Sequence, residues 1–410
     1  MFIKLAQKSL KNRAGSVVLT VLAMSVSIFV LLAVEHIRQQ SKASFASTVS
    51  GVDLIVGART GSLNLLLYSV FHIGSPSNNI SWASYEKIAQ IKQVDWAVPI
   101  SLGDSHKGYR VIGTSTDFFT HFSYGNKHKL KFSEGAAFEK LYDVVIGAEL
   151  AAKLNYKLGD KIVLAHGVAK TSFSMHDDKP FTVVGILEAT GTPIDQSLYV
   201  SLAGIEAIHT GWQHGVKQPG SAVNGTPTQQ LKPESITAFM LGLNSRLAVF
   251  KTQREINNYR GEALSAILPG ATLAELWQMM SLMENSLRFV ASLVFVAAIL
   301  GLSAMLMASI RDRKHEIHLL RIIGAPPGFI FLLIELEALI ICLLSMLLAT
   351  LTLTASLSLS HSFILSHFGL SISSNIFSPN SLYLLLSIAV AALLLAAIPA
   401  LNAYNSAKKP

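Results

Sequence analysis

Four uncharged runs constrain this chain more than any other feature. Gly15–Val34, Phe289–Ile310, Ala338–Ser360 and Leu382–Leu401 contain no Asp, Glu, Lys or Arg. About 20 apolar helical residues cross a hydrocarbon core of roughly 30 Å, so each run is long enough to span a membrane. Composition agrees: 51% of the 410 residues are hydrophobic and only 14% charged, where soluble domains carry about a quarter charged. The first run also fits a signal peptide. Its long apolar core and extended basic flank favour an anchor instead. The net charge of +8 would suit nucleic acid, but the basic residues cluster beside the apolar runs, which is the membrane pattern and argues against that partner. The single cysteine, Cys342, leaves no intramolecular disulfide and no cysteine-based zinc cage.

Lysine and arginine near the span ends set orientation. Lys4, Lys8, Lys11 and Arg13 precede the first span, Arg311, Arg313, Lys314 and Arg321 lie between the second and third, and Lys408 and Lys409 follow the fourth. Leu359–Ser381, between the third and fourth, has no charged residue. Both termini are therefore expected in the cytoplasm, with a large insert outside. The expected fold is a membrane α-helical protein with an α+β extracytoplasmic domain and four transmembrane helices, one before the insert and three after it. Expected boundaries are 1–14 for a basic amphipathic N-terminal helix, with an unstructured basic N-terminus as the alternative, and 15–36 for the first span. The insert and its helical stalk take 37–283 and the second span 284–310. A cytoplasmic helix and turn follow at 311–327, then the third span at 328–356, a short external loop at 357–380, the fourth span at 381–404 and a tail at 405–410.

Inside the insert the pattern changes. Tyr109–Ser115, Asp160–Ala165 and Phe181–Leu187 read as strands, and Trp82–Ile91, Gly147–Leu154 and Leu247–Leu268 as helical patches. Arg246–Met283 reads as largely helical, leading into the second span. Gly211–Lys232 is rich in Gly, Pro and Gln and reads as a surface excursion.

Catalytic signals are weak. The chain contains no GxxxxGK[ST] and no GxGxxG after a strand. His315 and His318 flank Glu316, yet a zincin needs histidines at i and i+4 on one helix face, and these are at i and i+3. No nucleophile–base pair stands out, so no catalytic residue is assigned and the chain is read as a non-enzyme. The insert does hold eight histidines: His72, His106, His121, His128, His166, His176, His209 and His214. His176 beside Asp177 and Asp178, together with His166, His209 and His214, form a candidate metal set, since imidazole suits borderline divalent cations. Satisfied or surface histidines are the competing reading. Glu335 and Glu337 fall just inside the third span, where carboxylates are costly and need a partner or water. They suit either packing and orientation or proton and cargo transfer. Glu284 and Arg288, at i and i+4, read as an ion pair along one helix.

The stretch "SIRDRKHEIHLLRIIGAPPGFI" at Ser309–Ile330 resembles the cytoplasmic signature of the FtsX-like, MacB-type permeases, the type VII ABC transporter family. Ser309, Arg311, Arg313, Glu316, Ile317, Leu320, Arg321, Gly324 and Ala325 carry the likeness. The run from Glu337, the closing Pro399, Ala400, Ala403 and Pro410, and the insert strands "VVIGAELAAKLNYKLGDKIVL" and "FTVVGILEATGT" are also similar to that family. The resemblance implies a stand-alone permease driven by a separate cytoplasmic ABC ATPase dimer. ATP and Mg would sit on that partner, and this chain would bind no cofactor itself. Arg311–Gly324 would be the coupling helix: Ile317, Leu320 and Ile323 lie near one face for packing in a groove, the charges add charge-assisted contacts, and Gly324-Ala325-Pro326-Pro327 stops the helix.

The resemblance further implies a dimer with a second copy or a paralogous permease in a bacterial inner membrane, the insert being periplasmic. ATP-driven movement of that insert, called mechanotransmission, would export or extract cargo. A periplasmic adaptor, lipoprotein or substrate-binding protein would be a further partner in such systems. The alternative is a non-transporting regulator of an external cell-wall hydrolase, and the histidines raise a further option of zinc homeostasis.

Overall fold

A computed structural model describes the chain except for residues 1–7, 9, 12, 49, 126, 168–176, 211, 214–215, 218–230, 313–321, 323–324, 369–375 and 409–410. The expected N-terminal amphipathic helix lies largely outside the described residues, as does most of the polar excursion at 211–232. The chain divides into two compact units, one of long helices and one corresponding mainly to Lys42–Met279.

The helical unit draws on four elements: α1 (Ala14–Ser47), α8 (Pro269–Asp312), α9 (Pro327–Phe368) and α10 (Pro379–Lys408). All four are long and apolar enough to cross a membrane. Prolines start three of them. Pro269, Pro327 and Pro379 each occupy a first-turn position, where the missing N–H costs nothing. Ser378 caps α10, its Oγ accepting from the Ser381 N–H at 3.2 Å. Inside the bundle α10 presents a small-residue stripe, with Ala392, Ala396, Ala400 and Ala403 all buried, which lets backbones approach closely. Ser303 of α8 donates to the Leu395 carbonyl at 3.3 Å. Leu343, Leu347 and Leu351 of α9 point outward, as lipid-facing leucines do.

Two helices run past their expected ends. The third span was expected to stop at 356 before a loop at 357–380, but α9 continues to Phe368. No Gly or Pro interrupts Leu351–Phe368, and Thr352, Thr354 and Ser358 turn their hydroxyls back onto carbonyls of the preceding turn, so polar side chains there stay satisfied without breaking the helix. Likewise α10 reaches Lys408, well into the expected tail at 405–410.

The insert is built on one eleven-stranded mixed sheet. Its strands are β1 (Leu54–Ala58), β2 (Val94–His106), β3 (Tyr109–Thr114), β4 (Phe132–Gly135), β5 (Asp143–Ile146), β6 (Lys161–Ile162), β7 (Ala165–His166), β8 (Phe181–Leu187), β9 (Leu198–Ser201), β10 (Ala238–Leu243) and β11 (Leu264–Ile267). The order is β11-β1-β10-β2-β3-β9-β5-β8-β4, with β7 added to β2 and β6 to β8. Pairing is parallel between β8 and β5 and between β9 and β3, and antiparallel elsewhere in the sheet. Helices α2 (Ser62–Val70), α3 (Trp82–Ala89), α4 (Asp117–His121), α5 (Ala148–Leu154), α6 (Leu202–His209) and α7 (Val249–Asn257) complete the unit. Side chains such as Phe181, Tyr199 and Phe239 are fully buried against the sheet. Arg246–Met283 is largely helical, but the helical patch expected at Leu247–Leu268 needs correction: α7 ends at Asn257, and β11 pairs with β1 through Leu264–Ile267 before α8 starts at Pro269. Leu264, Ala266 and Ile267 are buried, so the apolar residues that suggested a helix serve a sheet edge.

Candidate functional site

Asp104 lies near the end of β2, where the strand projects beyond a bulge between Leu102 and Ser105. Beyond the bulge the alternation shifts, so its carboxylate turns away from the face of Val98, Ile100 and Leu102 toward α6 and is 1% exposed. The short strand β7 pairs beside it and sets His166 opposite Asp104. Gly167, at φ +78°, continues the contact by donating its N–H to the Gly103 carbonyl at 3.0 Å, a left-handed conformation that glycine adopts without strain. His209 closes α6, whose start is capped by Ser201 Oγ accepting from the Gly204 N–H at 3.0 Å. Lys179 Nζ donates to the Ala207 carbonyl at 2.6 Å and so holds that end of α6.

Three elements distant in sequence thus converge. His166 Nδ1 lies 3.1 Å from Asp104 Oδ1, and His209 Nε2 lies 3.3 Å from Oδ2. The two imidazoles stack face to face, centroids 4.5 Å apart and planes at 11°. Each side chain is about a third exposed, at 31% and 32%, so the cluster has a buried anionic floor and an open imidazole rim. Burial alone would push the Asp104 carboxyl up; hydrogen bonds and charge from His166 and His209 outweigh it and hold it down at about 2. His106, two residues on, is engaged elsewhere. Its Nδ1 meets the Val163 carbonyl at 2.7 Å and its Nε2 the Tyr156 hydroxyl at 2.8 Å. Burial lowers its pKa, against the opposing pull of the Val163 carbonyl.

Of the candidate metal residues, the structure brings together His166 and His209. Asp177 and Asp178 are exposed, and His176 and His214 lie outside the described residues. Asp104 was missed by reading the sequence. No local spacing marks it, because the bulge between Leu102 and Ser105 decides which face of the sheet it meets.

A second polar cluster belongs to the helical unit. Glu35 of α1 accepts from Arg38 Nη2 and Gln39 Nε2, each at 2.6 Å, and from Arg288 Nη2 of α8 at 3.3 Å. Glu284 lies 3.9 Å from Arg38. The expected ion pair along α8 is therefore replaced by pairs across helices: α1 offers both a carboxylate and a guanidinium, and each partner on α8 turns toward it. A cavity of about 440 Å³ opens beside this cluster, lined also by Tyr383 and Ser387 of α10. On α9, Glu337 is buried at 2% exposure and Glu335 is half-buried, its Oε1 without a hydrogen-bond partner among the described residues. Of the residues assigned to ATPase coupling, Arg311 is exposed at the end of α8 and Ala325 half-buried before α9. Arg313, Glu316, Ile317, Leu320, Arg321 and Gly324 lie outside the described residues.

Four helices long and apolar enough to cross a membrane are thus arranged one before and three after an α+β insert. Residues 17–258 match the MacB-like periplasmic core domain and residues 288–408 the FtsX-like permease C-terminal domain. The chain belongs to this family of MacB-like, FtsX-like ABC transporter permeases, and its insert is a MacB-like periplasmic domain. Two solved structures are similar. The periplasmic region of MacB from Actinobacillus actinomycetemcomitans shares 10% identity, with 57% of this chain and 94% of that chain covered and a TM-score of 0.34. The extracellular domain of the ABC-type transporter YknZ from Gram-positive bacteria shares 13%, with 52% and 98% covered and a TM-score of 0.31. No curated protein matches the chain.

Proposed function

We propose that this chain is the transport subunit of an ABC system in which a separate ATPase supplies the energy and the insert performs the work. The observation that carries this reading is the joint presence of the MacB-like domain and the FtsX-like C-terminal domain in one chain. The segment Arg311–Gly324 joins α8 to α9, and its sequence offers the apolar residues Ile317, Leu320 and Ile323 beside four basic residues and two acidic ones. That combination suits docking in a groove on a soluble partner. ATP-driven closure of the partner would be passed through this segment and used by the insert for export or extraction on the outer side of an inner membrane. Catalysis of ATP hydrolysis belongs to the partner in this reading, and a second permease copy or a paralogue completes the assembly.

The test is copurification with the cognate ATPase. The wild-type chain retains it, and Ile317→Asp with Leu320→Asp releases it while the chain still inserts and folds. Retention by the folded double variant would remove this segment from the coupling role.

A further inference from the structure

We propose that Asp104, His166 and His209 form a binding site for a borderline divalent cation of the zinc type on the periplasmic insert. The three residues offer one ligand atom each, and those atoms all lie within 4.8 Å of one another. The spacing is informative. Charge-assisted N–H···O contacts run at about 2.7–2.9 Å, whereas the two nitrogen–oxygen distances here are 3.1 and 3.3 Å. Bonds of 2.0–2.1 Å in a tetrahedron place neighbouring ligand atoms about 3.3 Å apart. The 3.3 Å separation matches the edge of a zinc tetrahedron, and the 3.1 Å one lies midway between that edge and an ion-pair hydrogen bond.

Charge and access point the same way. A carboxylate buried to 1% exposure is costly unless a cation accompanies it. The stacked imidazoles, 4.5 Å apart, bring His166 Nδ1 and His209 Nε2 to the same carboxylate. One divalent cation held by Asp104 Oδ and by the facing nitrogens of both rings neutralises the carboxylate and leaves the rings uncharged. Two imidazoles with one carboxylate favour zinc and its transition-metal neighbours over the oxygen-seeking magnesium and calcium. Three protein ligands leave a coordination position for water or for a donor atom of an incoming molecule, the pattern of exchangeable rather than closed structural sites. The imidazole rim, about a third exposed, gives the ion its entry path.

Second contacts brace the ligands. The backbone pairing of His166 with Asp104 fixes two of them in register, and Lys179 secures the end of α6 that carries the third. Such bracing orients ligands before the metal arrives.

The experiment uses the full-length chain in detergent, purified without a histidine tag and stripped of metal. Calorimetric titration with Zn²⁺ alone should show one equivalent bound per chain. Asp104→Asn, His166→Gln and His209→Gln should each abolish that uptake or weaken it by at least about tenfold, while His128→Gln, at an exposed position, leaves it intact. Co²⁺ should give the intense visible band of a low-coordinate site in the wild type and lose it in all three variants. If Asp104→Asn fails to fold, the two histidine variants decide, since their side chains are about a third exposed. Absence of zinc uptake by the wild type, or unchanged uptake by the histidine variants, overturns the proposal. The copurification test of ATPase coupling does not depend on this outcome.

Discussion

The helical unit and the insert use the same residue types for opposite ends. In the insert, Phe181 and Leu198 are fully buried against the sheet, whereas Leu347 of α9 is 57% exposed. Water drives the first arrangement, and lipid makes the second cost nothing, because acyl chains are as apolar as leucine. Carboxylates differ as well. Glu35 faces two guanidiniums, which stay charged and fill its oxygens with donors. Asp104 faces two imidazoles, whose nitrogens are able to exchange a proton for a metal. One cluster ties α1 to α8. The other can take a ligand.

Substitutions in the two regions should separate burial from water from burial in lipid. The largest effect is expected from Phe181→Ala, which empties a fully buried position packed edge-to-face on Tyr142. It should cost about 3–5 kcal/mol, read as loss of the folded chain in thermal unfolding in detergent. Glu35→Ala should cost about 1–3 kcal/mol by the same measurement, between a surface pair and a fully buried one, since it leaves Arg38 and Arg288 without their shared partner. A cost near zero would demote that cluster from tie to decoration. Leu347→Ala should fall below about 0.5 kcal/mol if lipid covers this face. A cost approaching that of Phe181→Ala would show instead that a protein surface packs there.

Much of this architecture is legible in the sequence because a membrane span is a local signal. Twenty uncharged residues need no distant partner to declare themselves, and the strand Phe181–Leu187 shows its alternation within seven residues. What escaped depends on tertiary partners. The strand at Leu264–Ile267 exists because β1 offers an edge, which no local pattern reveals. Glu284 and Arg288 look paired along α8 until α1 supplies better partners. His166 and His209 stood out by residue type, yet Asp104 completes their cluster only because β7 pairs with β2 and α6 ends beside them. Convergent side chains from three elements leave no spacing for a motif search to find.

In the proposed coupling, energy entering at Arg311–Gly324 would do work in the periplasmic insert. Hydrogen exchange of the insert in the reconstituted permease–ATPase complex tests it most directly, comparing the nucleotide-free state with an ATP-trapped one. Protection in the insert should change on ATP trapping, and Ile317→Asp with Leu320→Asp should abolish the change. Identical insert exchange in both nucleotide states of an assembled wild-type complex would contradict it.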